Sequence, residues 1–247
     1  MVGGLALAAR PTASVLAQSV ASRVSAAPDG RVHMSYAARS GVCGNGRNIQ
    51  TFSSNNEWMS DCEPGPVRVS IEKRGGAVVR VRTYVGGRWR PEMESVTNLG
   101  TLPAADAAHY LLDLARHADG HVGSDAILGA ALADSVTVWP DLLDIARSRA
   151  VGNPTRKSAV FWLGQAAGEA AVAGLTGLVA DTSQDEAVKE SAIFALSQLH
   201  NGAGVDPLIN IARTSKDPRL RKKAIFWLGQ SDDPRALALF EELLTRH

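Results

Sequence analysis

Cys43 and Cys62 are the only thiols in the chain. A nucleophilic thiolate needs a base beside it, and a metal site needs about four ligands. Neither cysteine has such a neighbour, and two sulfurs without a CxxC or a paired His fall short of a ligand set. Their simplest chemistry is a bond to each other, closing the Asn/Ser-rich stretch between them in an oxidising compartment. In a reducing compartment both are inert. His117 and His121 stand four apart, a spacing that suits a metal on one helix face, but Asp119-Gly120 between them ends any helix, so both read as surface loop. Gly44-Asn45-Gly46 lacks the Lys-Ser/Thr of a phosphate loop and reads as a turn. No Gly-x-Ser-x-Gly, His-Glu-x-x-His or Walker string occurs. No cofactor and no metal is expected.

Three further groups carry chemistry by type rather than by motif. Arg219, Arg221, Lys222 and Lys223 place four cations within five residues. Such a run is an anion patch or a solvated outer face, and Asp217, Asp232 and Asp233 offset it. Trp162 and Trp227 recur in the phrases AVFWLGQ (159–165) and AIFWLGQ (224–230). With Phe161, Phe194 and Phe226 they read as core between stacked units rather than a ligand-stacking pair. Gln165 and Gln230 read as helix-end amides that satisfy free carbonyls, with Gln198 placed one residue off their phase. Tyr36, His109 and Tyr110 are the titratable residues that an enzyme site would have to use.

The elements that position these residues change character near residue 100. The chain has 247 residues, 45% hydrophobic and 21% charged, with a net charge of +1. That balance fits a globular chain with no general bias toward nucleic acid or an anionic membrane. No apolar run approaches the roughly 20 residues of a membrane span. The first residues pair a short apolar segment, Val2 to Ala9, with small-residue stretches such as Val15-Leu16-Ala17 before Gln18. This is either a signal peptide lacking its basic end or a disordered leader. The first case exports the protein to the periplasm or beyond, and the second leaves it cytoplasmic.

Residues 67–73 and 77–85 alternate apolar and polar side chains around Arg74-Gly75-Gly76, which predicts a β-hairpin. Residues 31–37 alternate weakly and supply a third strand, with Trp89 packed over the sheet. Residues 38–66 carry no period and read as loop. Beyond Pro103 the period becomes helical. Ala126, Ala159, Ala192 and Ala224 fall 33, 33 and 32 apart, and Ile145, Leu178, Ile211 and Leu243 fall on the same spacings. Two apolar ladders sharing one period mean four copies of a two-helix unit. Pro140, Pro207 and Pro234 open second helices, where a missing N–H costs nothing. Residues 104–117 form one more helix, an unpaired second helix that caps the array.

At Asp217-Pro-Arg-Leu-Arg-Lys-Lys-Ala-Ile-Phe-Trp-Leu-Gly-Gln-Ser-Asp-Asp-Pro-Arg-Ala-Leu the repeat resembles a HEAT repeat, most closely the short type of the phycobilisome-lyase group. The resemblance covers residues 122–247. It implies an α-solenoid and a role in binding another protein, and it leaves the activity unassigned. Deoxyhypusine hydroxylases share the helix layout but hold iron with His-Glu dipeptides, and this chain has none. HEAT-like DNA glycosylases need a basic concave face, and the second helices here are mixed in charge.

The expected fold is mostly α: about four HEAT-like repeats and a capping helix, with a small antiparallel β module at the N-terminus. The expected divisions are a leader (1–30), a β-rich module (31–98) and a repeat domain (99–247). The expected function is noncatalytic protein binding or scaffolding through a concave face made by second helices, using Asp141, Asp144, Arg147, Asp206, Asn210 and Arg213. The alternative is an enzyme, or an enzyme-maturation factor, with a site between module and solenoid.

Overall fold

Alternating side chains build the strands, and the 33-residue period builds the helices. The computed structural model of the chain describes residues 19–51, 62–89, 95–118, 120–167 and 170–245. In chain order the elements are α1 (Val20–Ala26), β1 (Gly30–Tyr36), β2 (Cys43–Asn45), β3 (Asn48–Gln50), β4 (Glu63–Pro64), β5 (Val67–Arg74), β6 (Ala77–Val85) and β7 (Val96–Thr101). Then follow α2 (Ala104–His117), α3 (Val122–Ala131), α4 (Trp139–Arg147), α5 (Asn153–Ala167), α6 (Ala171–Ala180), α7 (Glu186–Ser197), α8 (Val205–Thr214), α9 (Pro218–Leu228) and α10 (Pro234–Thr245).

The main sheet has the order β6-β5-β1-β7. The expected hairpin is β5–β6, turned by Gly75 and Gly76 at φ 58° and 77°, a region that side chains with a Cβ avoid. The Asp29 carboxylate accepts from both of their N–H groups, which holds its pKa below the ordinary carboxylate value. Strand β1 pairs antiparallel with β5, as the alternation requires. The fourth strand was not expected. Strand β7 pairs parallel with β1, so the sheet is antiparallel in three strands and mixed at its edge. The stretch Val-Thr-Asn-Leu-Gly-Thr lacks a clean alternation, and only the distant β1 gives it a ladder to join. Strand β7 also crosses the expected division at residue 98.

Two other segments are more ordered than the sequence suggested. Residues 20–26, assigned to the leader, form α1 with Val20 and Val24 buried four apart on one face. Ser19 caps its start by accepting from the Ser22 N–H. Its end is held by Lys73, whose Nζ donates to the carbonyls of Val24, Ser25 and Ala27 at 2.6–2.9 Å. A lysine 3% exposed is sustained there because all three of its donors meet main-chain carbonyls at or just beyond the helix end. Of the expected leader, residues 1–18 lie outside the described residues. Within the stretch read as loop, β3-β2-β4 form a second small sheet. Cys43 and Cys62 lie there at disulfide distance, with Cα atoms 5.2 Å apart.

The helical half follows the period closely. Residues 104–117 are helix α2 as expected, and each later pair starts where its ladder and proline placed it. The rungs Ala126, Ala159, Ala192 and Ala224 are fully buried, as are Ile145, Leu178 and Ile211. Leu243, the last rung of the second ladder, is 42% exposed, because among the described residues no later pair covers it. First helices α3, α5, α7 and α9 pack side by side, second helices α4, α6 and α8 lie against them, and α10 packs on α8.

The sheet joins this array at its first pair. Sheet and helices share one contiguous apolar core. Main-chain bonds from Arg39 N to Leu132 O and from Asp134 N to Ala37 O tie the segment after β1 to the α3–α4 connection. The Tyr36 hydroxyl donates to Gly129 O at 2.8 Å, crossing from β1 to α3. A Cβ on Gly129 would lie 2.8 Å from Leu111 and 3.1 Å from the Tyr36 hydroxyl. Gly129 occupies the repeat position held by Trp162 and Trp227 in later copies. The first copy has a glycine because Leu111 of α2, with Tyr36 and Thr83 of the sheet, occupies that volume.

Candidate functional site

Apolar side chains that a fold leaves exposed in a contiguous patch mark surfaces for other molecules. Such a patch crosses α5, α7 and α9. The Phe161 and Phe194 rings stack at 6.5 Å between centroids, and Phe194 meets Trp227 at 4.9 Å. Trp162 stands edge-on to Phe161 and Trp227 edge-on to Phe226. The five rings form one continuous row over three first helices. Phe161 is 38% exposed and Phe226 54%, while Phe194, Trp162 and Trp227 are half-buried.

This corrects the reading as core for Phe161 and Phe226, while Trp162 and Trp227 do pack against the core, half-buried. The ladder alanine two residues before each exposed Phe is fully buried, and the aliphatic residue after it is buried at Val160 and half-buried at Ile225. A step of one or two residues around the helix carries Phe161 and Phe226 out of the interface. Repeat spacing shows that the positions are equivalent but not which edge of the apolar stripe meets solvent. The third copy replaces tryptophan with Ala195, which is buried and touches Gly164 of α5. The small residue there lets α7 approach α5 closely enough for Phe194 to bridge its two neighbours.

Polar rows flank the rings. One turn before each Phe stand Lys157, Glu190 and Lys222, and one turn after stand Gln165, Gln198 and Gln230. Gln198 is in phase with the other two, six residues after its ladder alanine, and not one residue off. Gln198 and Gln230 are exposed, as are Lys157 and Lys222. Glu190 pairs with Lys223 at 3.1 Å.

The cations from Arg219 to Lys223 divide by role. Arg219 pairs with Glu186 and Lys223 with Glu190, both on the neighbouring α7. Arg221 donates to Ser215 O at 2.7 Å, at the end of α8. Lys222 is exposed beside the rings. The structure therefore brings three of the four into contacts between helices.

The second-helix residues show a similar pattern. Asp141 pairs with Arg116 of α2, Asp206 with Arg235 of α10, and Arg213 with Glu242 of α10. Asp144, Arg147 and Asn210 are exposed. Asp233 also binds Arg235 through its main-chain N–H and its guanidinium, which pulls the Asp233 carboxyl down to about 2. This face is a ladder of ion pairs between neighbouring copies, with three polar side chains left facing outward.

Tyr36, His109 and Tyr110 do not converge. Tyr36 is fully buried against Gly129, with its hydroxyl pKa raised by burial. His109 is exposed on α2. Tyr110 is partly buried, and burial with nearby Asp113 pushes its hydroxyl up to about 12. A pocket of about 250 Å³ does open between the two parts of the molecule, lined by Arg39, Ala131, Ala133, Val136, Thr137, Val138 and Trp139. Its lining holds one cation and the Thr137 hydroxyl, with no acid or histidine beside them. On the outer face of the sheet, Trp89 packs as expected, stacked on His33 at 3.8 Å and lying over Arg68. Among the described residues no group of three or more His, Cys, Asp or Glu could hold a metal, and no helix is long and apolar enough to cross a membrane.

Residues 174–247, from within α6 onward, match the family model described as HEAT repeats. No curated protein matches the chain.

Proposed function

We propose, from pairs that are HEAT repeats over residues 174–247, that the helices stack as a solenoid and that the protein is a noncatalytic binder or scaffold for another protein. The aromatic row on α5, α7 and α9 carries this reading. HEAT repeats serve protein interaction in general, and a row of rings with two members more than a third exposed is the surface that most requires a partner. Asp144, Arg147 and Asn210 on the second-helix face add a polar contact zone, but their neighbours already hold one another.

The reading is tested by affinity capture from the host's own extract. The bait is the chain and its Phe161→Ser/Phe226→Ser variant. Both rings are exposed, so the variant keeps its melting temperature within a few degrees. The expected result is a set of proteins enriched on the unaltered chain and depleted about tenfold or more on the variant. Equal capture by both would sink the assignment to this row, and a set lost only with Asn210→Ala would move it to the second-helix face.

The same reading places the protein outside the reducing cytoplasm. Cys43 and Cys62 at disulfide distance support this, with the leader expected over residues 1–30 carrying the export signal. Non-reducing mass spectrometry of exported material is expected to find the two cysteines linked. Free thiols in that material would overturn both the bond and the compartment.

A further inference from the structure

We propose that the segment bound on the aromatic row is an extended polypeptide, with apolar side chains at alternate positions, acidic residues beside them, and its main chain held by Gln165, Gln198 and Gln230. The inference rests on the reading above that the row is a docking surface, and it specifies what docks there.

Width argues first. The apolar track is one ring wide, with polar rows about one helical turn to either side. A helix, roughly 10–12 Å across, would press its own apolar stripe onto those rows. An extended chain is narrow enough to lie along the rings alone. Its side chains on one face recur every two residues, about 6.6–6.8 Å, which fits the 6.5 Å step from Phe161 to Phe194 but not the 4.9 Å step from Phe194 to Trp227.

Hydrogen bonding argues second. A helix satisfies its own main chain and would offer the glutamine row no partners. An extended chain projects N–H and C=O groups sideways, toward the rows. A glutamine amide carries two donor hydrogens and an acceptor; Gln198 Nε2 already donates to Ser197 Oγ at 3.2 Å, which leaves its second N–H and its carbonyl to meet the main chain beside those of Gln165 and Gln230. This is a way to hold main chain without reading sequence.

Charge argues third. In the opposite row, Glu190 is neutralised by Lys223, while Lys157 and Lys222 make no ion pair among the described residues. Two exposed cations about 20 Å apart, the span of three packed helices, favour acidic side chains on that edge of the bound segment. The same span holds about six extended residues.

The test uses the full chain and phage-displayed random peptides about twelve residues long, twice the span of the row. Enriched peptides are expected to carry apolar residues at i, i+2 and i+4 with Asp or Glu flanking that run, where the side chains can reach Lys157 and Lys222. Their binding should fall about tenfold or more on the Phe161→Ser/Phe226→Ser variant. Gln198→Leu, with an unchanged melting temperature, should weaken the best peptide several-fold, and N-methylation of its central amides should do the same. An enriched pattern of i, i+3, i+4 and i+7 that still needs the rings would overturn the extended partner and leave the docking row standing. Enriched peptides indifferent to the rings would overturn the docking row itself. No enrichment would overturn the extended partner. Tight binding unchanged by Gln198→Leu and by N-methylation would overturn the main-chain role.

Discussion

Replacing Arg156 with Ala is expected to destabilise the protein by about 3–5 kcal/mol. Arg156 is 2% exposed, the largest fully buried side chain among the described residues. Its Nε donates to Ala146 O near the end of α4, and its other nitrogens reach Asn153, Asp185 and Gln184. Gln184 in turn donates to Arg147 O and Asp181. One guanidinium thus joins the end of one pair, the start of the next, and the connection into a third. Its loss leaves Ala146 O and Gln184 facing a cavity, and such unpaired groups cost more than the original bonds contributed. Arg156→Lys is expected to recover little, since an ammonium cannot present the planar fork that four partners share. Urea unfolding reads the effect. A cost below about 1 kcal/mol would mean that the connection relaxes around the gap, and the clasp would then be incidental. The same rung recurs in Arg221, which lies 65 residues later and donates to the end of α8. A basic residue here closes the preceding second helix.

Gly129→Trp is the second large effect, about 3 kcal/mol or more. The substitution gives the first copy the residue that two later copies carry, so repeat similarity alone would call it harmless. Helix α2 and the sheet make it harmful. A Cβ already meets Leu111 at 2.8 Å and Tyr36 at 3.1 Å, and an indole must push α3 away from β1 and β6. Gly129→Ala is expected to cost much less, about 1 kcal/mol, because the nearest atom is the mobile end of a leucine. Chemical unfolding measures both, and limited proteolysis shows whether the sheet is released. A Trp variant as stable as the parent would mean that sheet and array are not locked at this contact.

The helical half was legible because its signals are local or periodic. Pro140, Pro207 and Pro234 mark helix starts, and the alanine ladder fixes the interface without any structure. The hairpin was legible for the same reason, from Gly75-Gly76 between two alternating runs. What sequence missed depends on distant partners. Strand β7 exists because β1 lies beside it, and α1 because Lys73, some fifty residues on, caps its end. The aromatic row was visible as a pattern and misplaced in depth. Alanine, aliphatic and phenylalanine adjoin in each copy, and only the packed neighbours decide that the third of them turns outward. The ion pairs of Arg219, Lys223, Asp141 and Arg213 were hidden likewise, since each partner sits one repeat away.

The four-stranded sheet closes the array at α3, while α10 leaves Leu237 57% and Leu244 76% exposed. The two ends therefore differ in how they open. In a stack where each pair leans mainly on its neighbours, opening starts where apolar side chains are least covered and travels toward the better covered pairs. Amide protons of α10 should exchange with solvent first, then those of α9 and α8, and those of α3 last. The aromatic row spans this gradient, anchored at α5 near the slow end and reaching α9 near the fast one. A molecule lying across it would hold the fraying end to the firm one, and its arrival would register as slower exchange in helices that it only partly touches.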